Sequence, residues 1–166
     1  AGEGRRGWRG VRSSPEPRDV QPSDAILVTT FQLRVVESVR MRAPLQVVLL
    51  VDLMGKGGTE IGPQTVSRSG VADFADCVTF DLRLDGSPRQ QLGEALRTGS
   101  AADVNIRVRQ RGGALIGRAV LPLHDVLDGG HDLMHSNVDV VSGKGEVVGS
   151  LVVSLRAFDC LLSVMG

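Results

Sequence analysis

From Asp24 onward the chain runs in short stretches where apolar and polar residues alternate. The stretch AILVTTFQLRVVES, starting at Ala25, sets Leu27, Thr29, Phe31, Leu33 and Val35 on one face. LQVVLLVDLM (45–54) is a nearly unbroken apolar run, which predicts a strand covered on both sides. PQTVSRS (63–69) alternates weakly. DCVTFDLRL (76–84) opposes Cys77, Thr79, Asp81 and Arg83 to Val78, Phe80, Leu82 and Leu84. DVNIRVRQR (103–111) turns Val104, Ile106 and Val108 inward and Asn105, Arg107, Arg109 and Arg111 outward. LIGRAVLPL (115–123), NVDVV (137–141) and VVGSLVVSLRAF (147–158) follow. Eight strands parted by Gly, Pro, Ser and Asp turns predict an antiparallel β-sandwich.

Three stretches depart from period two. SPRQQLGEALRTG (87–99) has Ser at a cap position, Pro in the first turn, Leu92 and Leu96 at i and i+4, and Gly99 as a stop, which predicts a short helix. PLHDVLDGG (122–130) predicts one or two helical turns ended by glycine, with Val126 and Leu127 inward. AFDCLLSVMG carries its apolar period into a terminal helix. Residues 1–24 consist of Gly, Arg, Pro, Ser and acids, with Trp8 the one aromatic, and cannot bury enough surface to offset chain entropy. They are expected to be a disordered linker ahead of a domain at 25–166. The chain begins at Ala1 without an initiator Met, and we expect it to be a piece of a longer protein.

Composition removes several function classes. Formal net charge is zero, so no global field draws the chain to nucleic acid or to an anionic membrane. Arginine outnumbers lysine 17 to 2 in a chain rich in Gly and Val and without Tyr, a pattern that coding bias produces. No apolar run reaches the length of a membrane span. Cys77 and Cys160 lie far apart inside apolar patterns, so buried free thiols in a reducing cytoplasmic compartment are expected rather than a disulfide or a zinc finger.

Candidate chemistry is sparse. VVLLVDLMGKGGTEIG pairs a strand with glycines, but Thr59, Glu60, Ile61, Gly62 and Pro63 do not start the helix that a dinucleotide site needs. A hairpin loop is the better reading there. No G-x-S-x-G elbow is present. The segment LHDVLDGGHDLMH (123–135) holds all three histidines, His124, His131 and His135, among Asp125, Asp128 and Asp132. That is the residue set of a metal or acid–base centre. However, no Glu follows His131, and Gly129 and Gly130 oppose a helix that would align the ligands. A polar loop is favoured. Arg107, Arg109 and Arg111, at period two on one strand face, are the candidate partner-binding residues, with a solvated outer face as the alternative.

The texture of the last strands resembles a C2-type β-sandwich over about residues 25–158. Within it, RQQLGEALRTGSAADVNIRVRQ, IGRAVLPLHDVLDGGHDLMHSNVDVV and VVGSLVVSLRAFDCLLSVM are similar to the C-terminal partner-binding domain of the retinitis pigmentosa GTPase regulator-interacting protein family. Ile116, Gly117, Ala119, Leu121, Leu123, Leu127, Gly130, Asp132 and Leu133 stand at matching places, as do Gly149, Leu151, Val153, Ser154, Leu155 and Ala157. His131 stands where that family has Arg or Lys, and RQRGGAL is shorter than the family's loop and lacks its acidic insert. The resemblance implies an eight-stranded C2-type fold with one or two short helices and a non-catalytic module without cofactors. It also implies a protein partner, the propeller domain of a retinitis pigmentosa GTPase regulator-like protein, and a place at the ciliary transition zone. Calcium-binding C2 domains put several Asp in two loops that here read ESVRMRAP and RQRGGAL, with one Glu and no Asp. Ca²⁺ takes roughly six to eight oxygen ligands, so calcium independence is expected. The second reading is a calcium-independent C2 domain that binds anionic lipids through the arginine face.

Overall fold

The computed structural model describes residues 10–13, 21–36, 39, 45–83 and 87–166. Its elements are β1 (Gly10–Ser13), a 3-10 turn (Pro22–Asp24), β2 (Ala25–Val35), β3 (Gln46–Leu53), β4 (Lys56–Thr65) and β5 (Val71–Asp81), then α1 (Ser87–Thr98), β6 (Asp103–Gln110) and β7 (Leu115–Pro122), and finally α2 (Leu123–Gly129), β8 (Leu133–Val141), β9 (Val147–Arg156) and α3 (Phe158–Met165). All pairings are antiparallel, in the order β1-β5-β2-β9-β8-β7-β6-β3-β4. Between β7 and β8 only Arg118 and Val141 pair, so the sheet divides there into two layers, β1-β5-β2-β9-β8 and β7-β6-β3-β4. The expected all-β sandwich of eight strands is present, with β1 as a short additional edge.

The core lies between the layers. Ile26, Val28 and Leu33 of β2, Leu49 and Val51 of β3, Val104, Ile106 and Val108 of β6, and Leu151, Val153 and Leu155 of β9 are all fully buried. Each such aliphatic side chain contributes about 1.5–3 kcal/mol when taken from water. The helices close one end: Leu92 and Leu96 of α1, Leu123 and Val126 of α2, and Cys160 and Leu161 of α3 all join this core. Arg89 binds that end together, donating to the Leu82 carbonyl at 3.2 Å and to the Ser163 hydroxyl, and facing Asp24 at 3.8 Å.

Four features differ from the sequence expectation. The run Leu27, Thr29, Phe31, Leu33, Val35 does not share one face. Ile26, Val28, Leu33 and Val35 belong to the main core, whereas Leu27 joins Ala25 and Cys77 in a small cluster on the other side. The pairing of β2 with both neighbours shifts after Thr30, and this bulge reverses the phase of the alternation. The glycine-rich stretch from Lys56, expected as loop, is strand β4, because pairing with β3 and burial of Ile61 suffice to hold it. The hairpin itself is confirmed at Met54 and Gly55, whose φ values of 56° and 79° give the turn sense that suits twisted strands. β8 starts at Leu133 rather than 137, with its own bulge after Leu133. Within the expected linker, residues 10–13 pair with 77–80 of β5, since an extended backbone can add to a strand edge without a core of its own. The remainder of the linker, with Trp8, lies outside the described residues.

Candidate functional site

The histidine segment folds so that its three imidazoles go separate ways. His124, on α2, is 2.8 Å from the Ser100 carbonyl through Nε2. His131 lies 2.7 Å from its neighbour's carbonyl, that of Asp132, through Nδ1. His135 sits in the β8 bulge at φ 48° and stacks on Phe31 of β2, ring centres 4.4 Å apart, while its N–H donates to Ser154 Oγ at 2.9 Å. The Asp132 carboxylate is engaged elsewhere. Its Oδ1 accepts the N–H groups of Ala157 (2.7 Å) and Phe158 (2.8 Å) at the start of α3. Among the described residues no three His, Cys, Asp or Glu side chains gather as metal ligands. Segment 123–135 is a structural crossover: Gly130, at φ 77°, ends α2 and its N–H donates to the Val126 carbonyl.

The arginine face has more content. Period two puts Arg107 and Arg109 on the outer side of β6, opposite the buried Val104, Ile106 and Val108. Arg111 leaves that row. It enters the β6–β7 turn, where its N–H donates to the Gln46 carbonyl (2.8 Å) and its Nη1 to Gln46 Oε1 (3.0 Å). In its place the register brings Arg118 of β7 directly opposite Arg107, and Leu115 opposite Arg109. Arg118 is not among the sequence candidates. A single Arg in IGRAVLPL acquires meaning only when the β6–β7 register is known, although its outward phase is readable.

Asp52 anchors this face. It is 3% exposed, and its Oδ1 accepts from Gly55 N–H (2.9 Å) and Asn105 Nδ2 (3.0 Å), while Oδ2 lies 3.9 Å from Arg107. One carboxylate thus fixes the β3–β4 turn, ties β3 to β6 and orients Arg107. Asp52→Ala removes the shared acceptor and is expected to lower stability by about 2 kcal/mol, measured by urea unfolding. An Asp52→Asn variant, which keeps the acceptor oxygen, should recover most of the loss.

Beside the arginines, where β7 and β8 part, lies a groove of about 560 Å³. Arg107 and Arg118 line it with the aliphatic side chains of Leu115, Val120, Val138 and Val141. Leu115 is 49% exposed, a large apolar residue left open next to two guanidinium groups.

The thiols are not part of this site. Cys77 and Cys160 are both buried thiols outside any disulfide, as expected. Burial pushes the Cys160 thiol from its ordinary 9.0 up to about 12, against a smaller downward pull from Arg89. A thiol reagent at mildly alkaline pH should therefore leave Cys160 unmodified until the protein is denatured. Between pH 9.0 and about 12 the unfolded thiol ionises while the folded one stays protonated. Stability should fall as pH rises through that window, and Cys160→Ala should flatten the fall.

Two antiparallel layers with helical crossovers at one end define a C2-type β-sandwich. A C2 domain-containing protein from a putative elicitor-responsive gene superposes with a TM-score of 0.57 at 12% identity, over 84% of this chain and 92% of that one. A C2 domain of plant extended synaptotagmin 1 gives 0.52 at 12% identity, over 81% and 94%. CC2D1B, described as coordinating ESRCT-III activity during mitotic reformation of the nuclear envelope, gives 0.60 at 13% identity, over 95% and 67%. At these identities the likeness is one of fold. Residues 111–166, which include β7, α2, β8, β9 and α3, match the family described as retinitis pigmentosa G-protein regulator interacting, C-terminal. A search of curated protein sequences gives no match.

Proposed function

We propose that this chain is a non-catalytic protein-interaction module that works without calcium or cofactor. Its partner, on this reading, is the propeller domain of a retinitis pigmentosa GTPase regulator-like protein at the cytoplasmic face of the ciliary transition zone. The observation that carries the reading is the family match over 111–166, because that segment also supplies Leu115, Arg118, Val138 and Val141 to the basic, partly apolar groove. Calcium independence is supported by the turn at 111–114, which offers Arg111, Gly112, Gly113 and Ala114 and no carboxylate. The loop that includes ESVRMRAP lies mostly outside the described residues. The absence of any converging nucleophile–base pair from the site described above supports a binding role. Arg107, Arg109 and Arg118 are the proposed contacts, with Arg111 steadying the adjacent turn.

A calorimetric titration with the propeller domain from the same organism tests this. Binding at micromolar concentration, unchanged by a calcium chelator, is expected. No heat at tens of micromolar, or binding that needs calcium, overturns the reading. A second reading, attachment to anionic lipids, is favoured by the one-sided row of Arg107, Arg109 and Arg118. It requires sedimentation with phosphatidylserine vesicles that is lost when these residues become Glu.

A further inference from the structure

The two layers of the sandwich end in strand edges, and these edges are protected unequally. β5 is covered along 77–80 by β1. β4 is an edge strand whose Pro63 has no N–H to offer and whose glycines give a partner little to pack on. β7 and β8 face each other, yet they share the single pair Arg118–Val141. Each already uses one side for its ladder, β7 with β6 over Asp103–Arg109 and β8 with β9 over Val147–Leu155. Their other sides, along 119–122 and 133–140, present backbone donors and acceptors to the seam without pairing across it.

The single point of closure depends on Gly117. A Cβ there would stand 2.8 Å from Val140 Cγ1 and 2.9 Å from the Val141 carbonyl. The strands thus touch where no side chain intervenes and part on either side, leaving the 560 Å³ groove. Its cations are available. Arg118 is exposed and has no ion pair among the described residues, and Arg107 has only Asp52 at 3.9 Å. Asp139 is the one carboxylate on the rim.

We propose that the β7–β8 groove takes an extended segment of a partner protein that sets acidic and aliphatic side chains alternately along one of its faces. Leu115, Arg118 and Val120 stand opposite Arg109, Arg107 and Asn105, so the cations and the apolar side chains share one face. An extended peptide turns every second side chain to that face, where acids meet Arg107 and Arg118 and aliphatic residues pack on Leu115 and Val120. Because Arg107 and Arg118 are cross-strand neighbours, one carboxylate can bridge both. The free strand edges supply the main-chain hydrogen bonds of strand addition. A bilayer suits the site less well. The cations are accompanied by Asp139 and Asp52, whose negative charge offsets part of the pull on an anionic surface.

This proposal rests on the interaction-module reading and names the contact surface and the chemistry of what it takes. The test uses the isotope-labelled full chain and a short capped peptide in which Glu and Val take turns at every second position with Ser between them, followed by amide NMR. Shifts are expected to concentrate in 115–122 and 136–143. Affinity should fall roughly tenfold or more in an Arg107→Glu/Arg118→Glu variant, and a Lys–Val peptide should give no such shifts. Spectral agreement away from the groove checks that the variant is folded, and Arg118→Ala serves if it is not. The proposal fails if millimolar Glu–Val peptide leaves those amides unmoved, or if both peptides shift them alike. It also fails if the double variant loses only phosphatidylserine vesicle binding. Propeller-domain binding without peptide shifts overturns the groove and spares the module reading. Peptide shifts without propeller binding do the reverse.

Discussion

Replacing Gly149 with alanine is expected to destabilise the protein by about 3 kcal/mol or more. Gly149 of β9 lies between Val35 of β2 and Val140 of β8, paired with both. A Cβ built there falls 2.4 Å from the Arg34 carbonyl oxygen and 3.4 Å from Val35 Cα. Both atoms are backbone, so no side-chain rotation relieves the contact, and β2 must separate from β9 at the centre of its layer. Urea unfolding should show the midpoint lowered by on the order of 1–2 M. Gly143→Ala is the matched control, because a Cβ there meets nothing within 4 Å and the residue is exposed. Equal midpoints for the two variants would refute the steric account. Gly117→Ala should fall between them. Its contacts include the Val140 and Val148 side chains, which can yield, as well as the Val141 carbonyl. Both glycines belong to the pattern that carried the family resemblance, and each has a close backbone approach as its physical cause.

How much of the fold could be read from the sequence depended on whether a strand kept its phase. β6 alternates without interruption, and its inward and outward residues follow from period two alone. β2 could not be read that way. Its bulge coincides with shifts in register against β5 and β9, and β8 shifts against β9 as well, so neighbouring strands bend together. A bulge is a property of the pairing and leaves little local signal in one strand. β4 was hidden for a different reason: glycine is depleted from strands, and GKGGTEIG becomes one only because β3 presents a long edge to it. The candidate site divides in the same manner. Arg107 and Arg109 were legible from β6 alone. Arg118, the groove beside it and the buried carboxylate of Asp52 follow from which strands are neighbours. The histidines show the limit of closeness along the chain. Their residue set is that of a ligand cluster, Gly129 and Gly130 already favoured a polar loop, and a helix, a glycine turn and a bulge within thirteen residues send the three rings to Ser100, Asp132 and Phe31.

Asp132→Ala is expected to cost about 3 kcal/mol, the sum of two charge-assisted hydrogen bonds at a helix start. The helix concerned is α3, whose N-cap residue is Ala157 and supplies no side-chain acceptor. Asp132, reaching from the loop between α2 and β8, provides it instead with Oδ1 bonds to the Ala157 and Phe158 N–H groups. Its negative charge also lies at the positive end of the helix. Removing it leaves both donors without that partner and frees α3, whose Cys160 and Leu161 are fully buried at the closed end of the sandwich. Cys160 then becomes a reporter. If α3 loosens ahead of the rest, a thiol reagent should modify Cys160 in Asp132→Ala at denaturant concentrations where the β-sheet signal is still native. Cys77, on β5, should stay protected under those conditions. Asp132→Asn keeps one acceptor oxygen and loses the charge, so its cost should be about 1 kcal/mol. Asp132→Ala with wild-type stability and a fully protected Cys160 would show that α3 is held by its apolar face alone. The expected pattern, in which Ala loosens the helix and Asn largely holds it, would identify Asp132 as the residue that joins the α2–β8 crossover to the end of the domain.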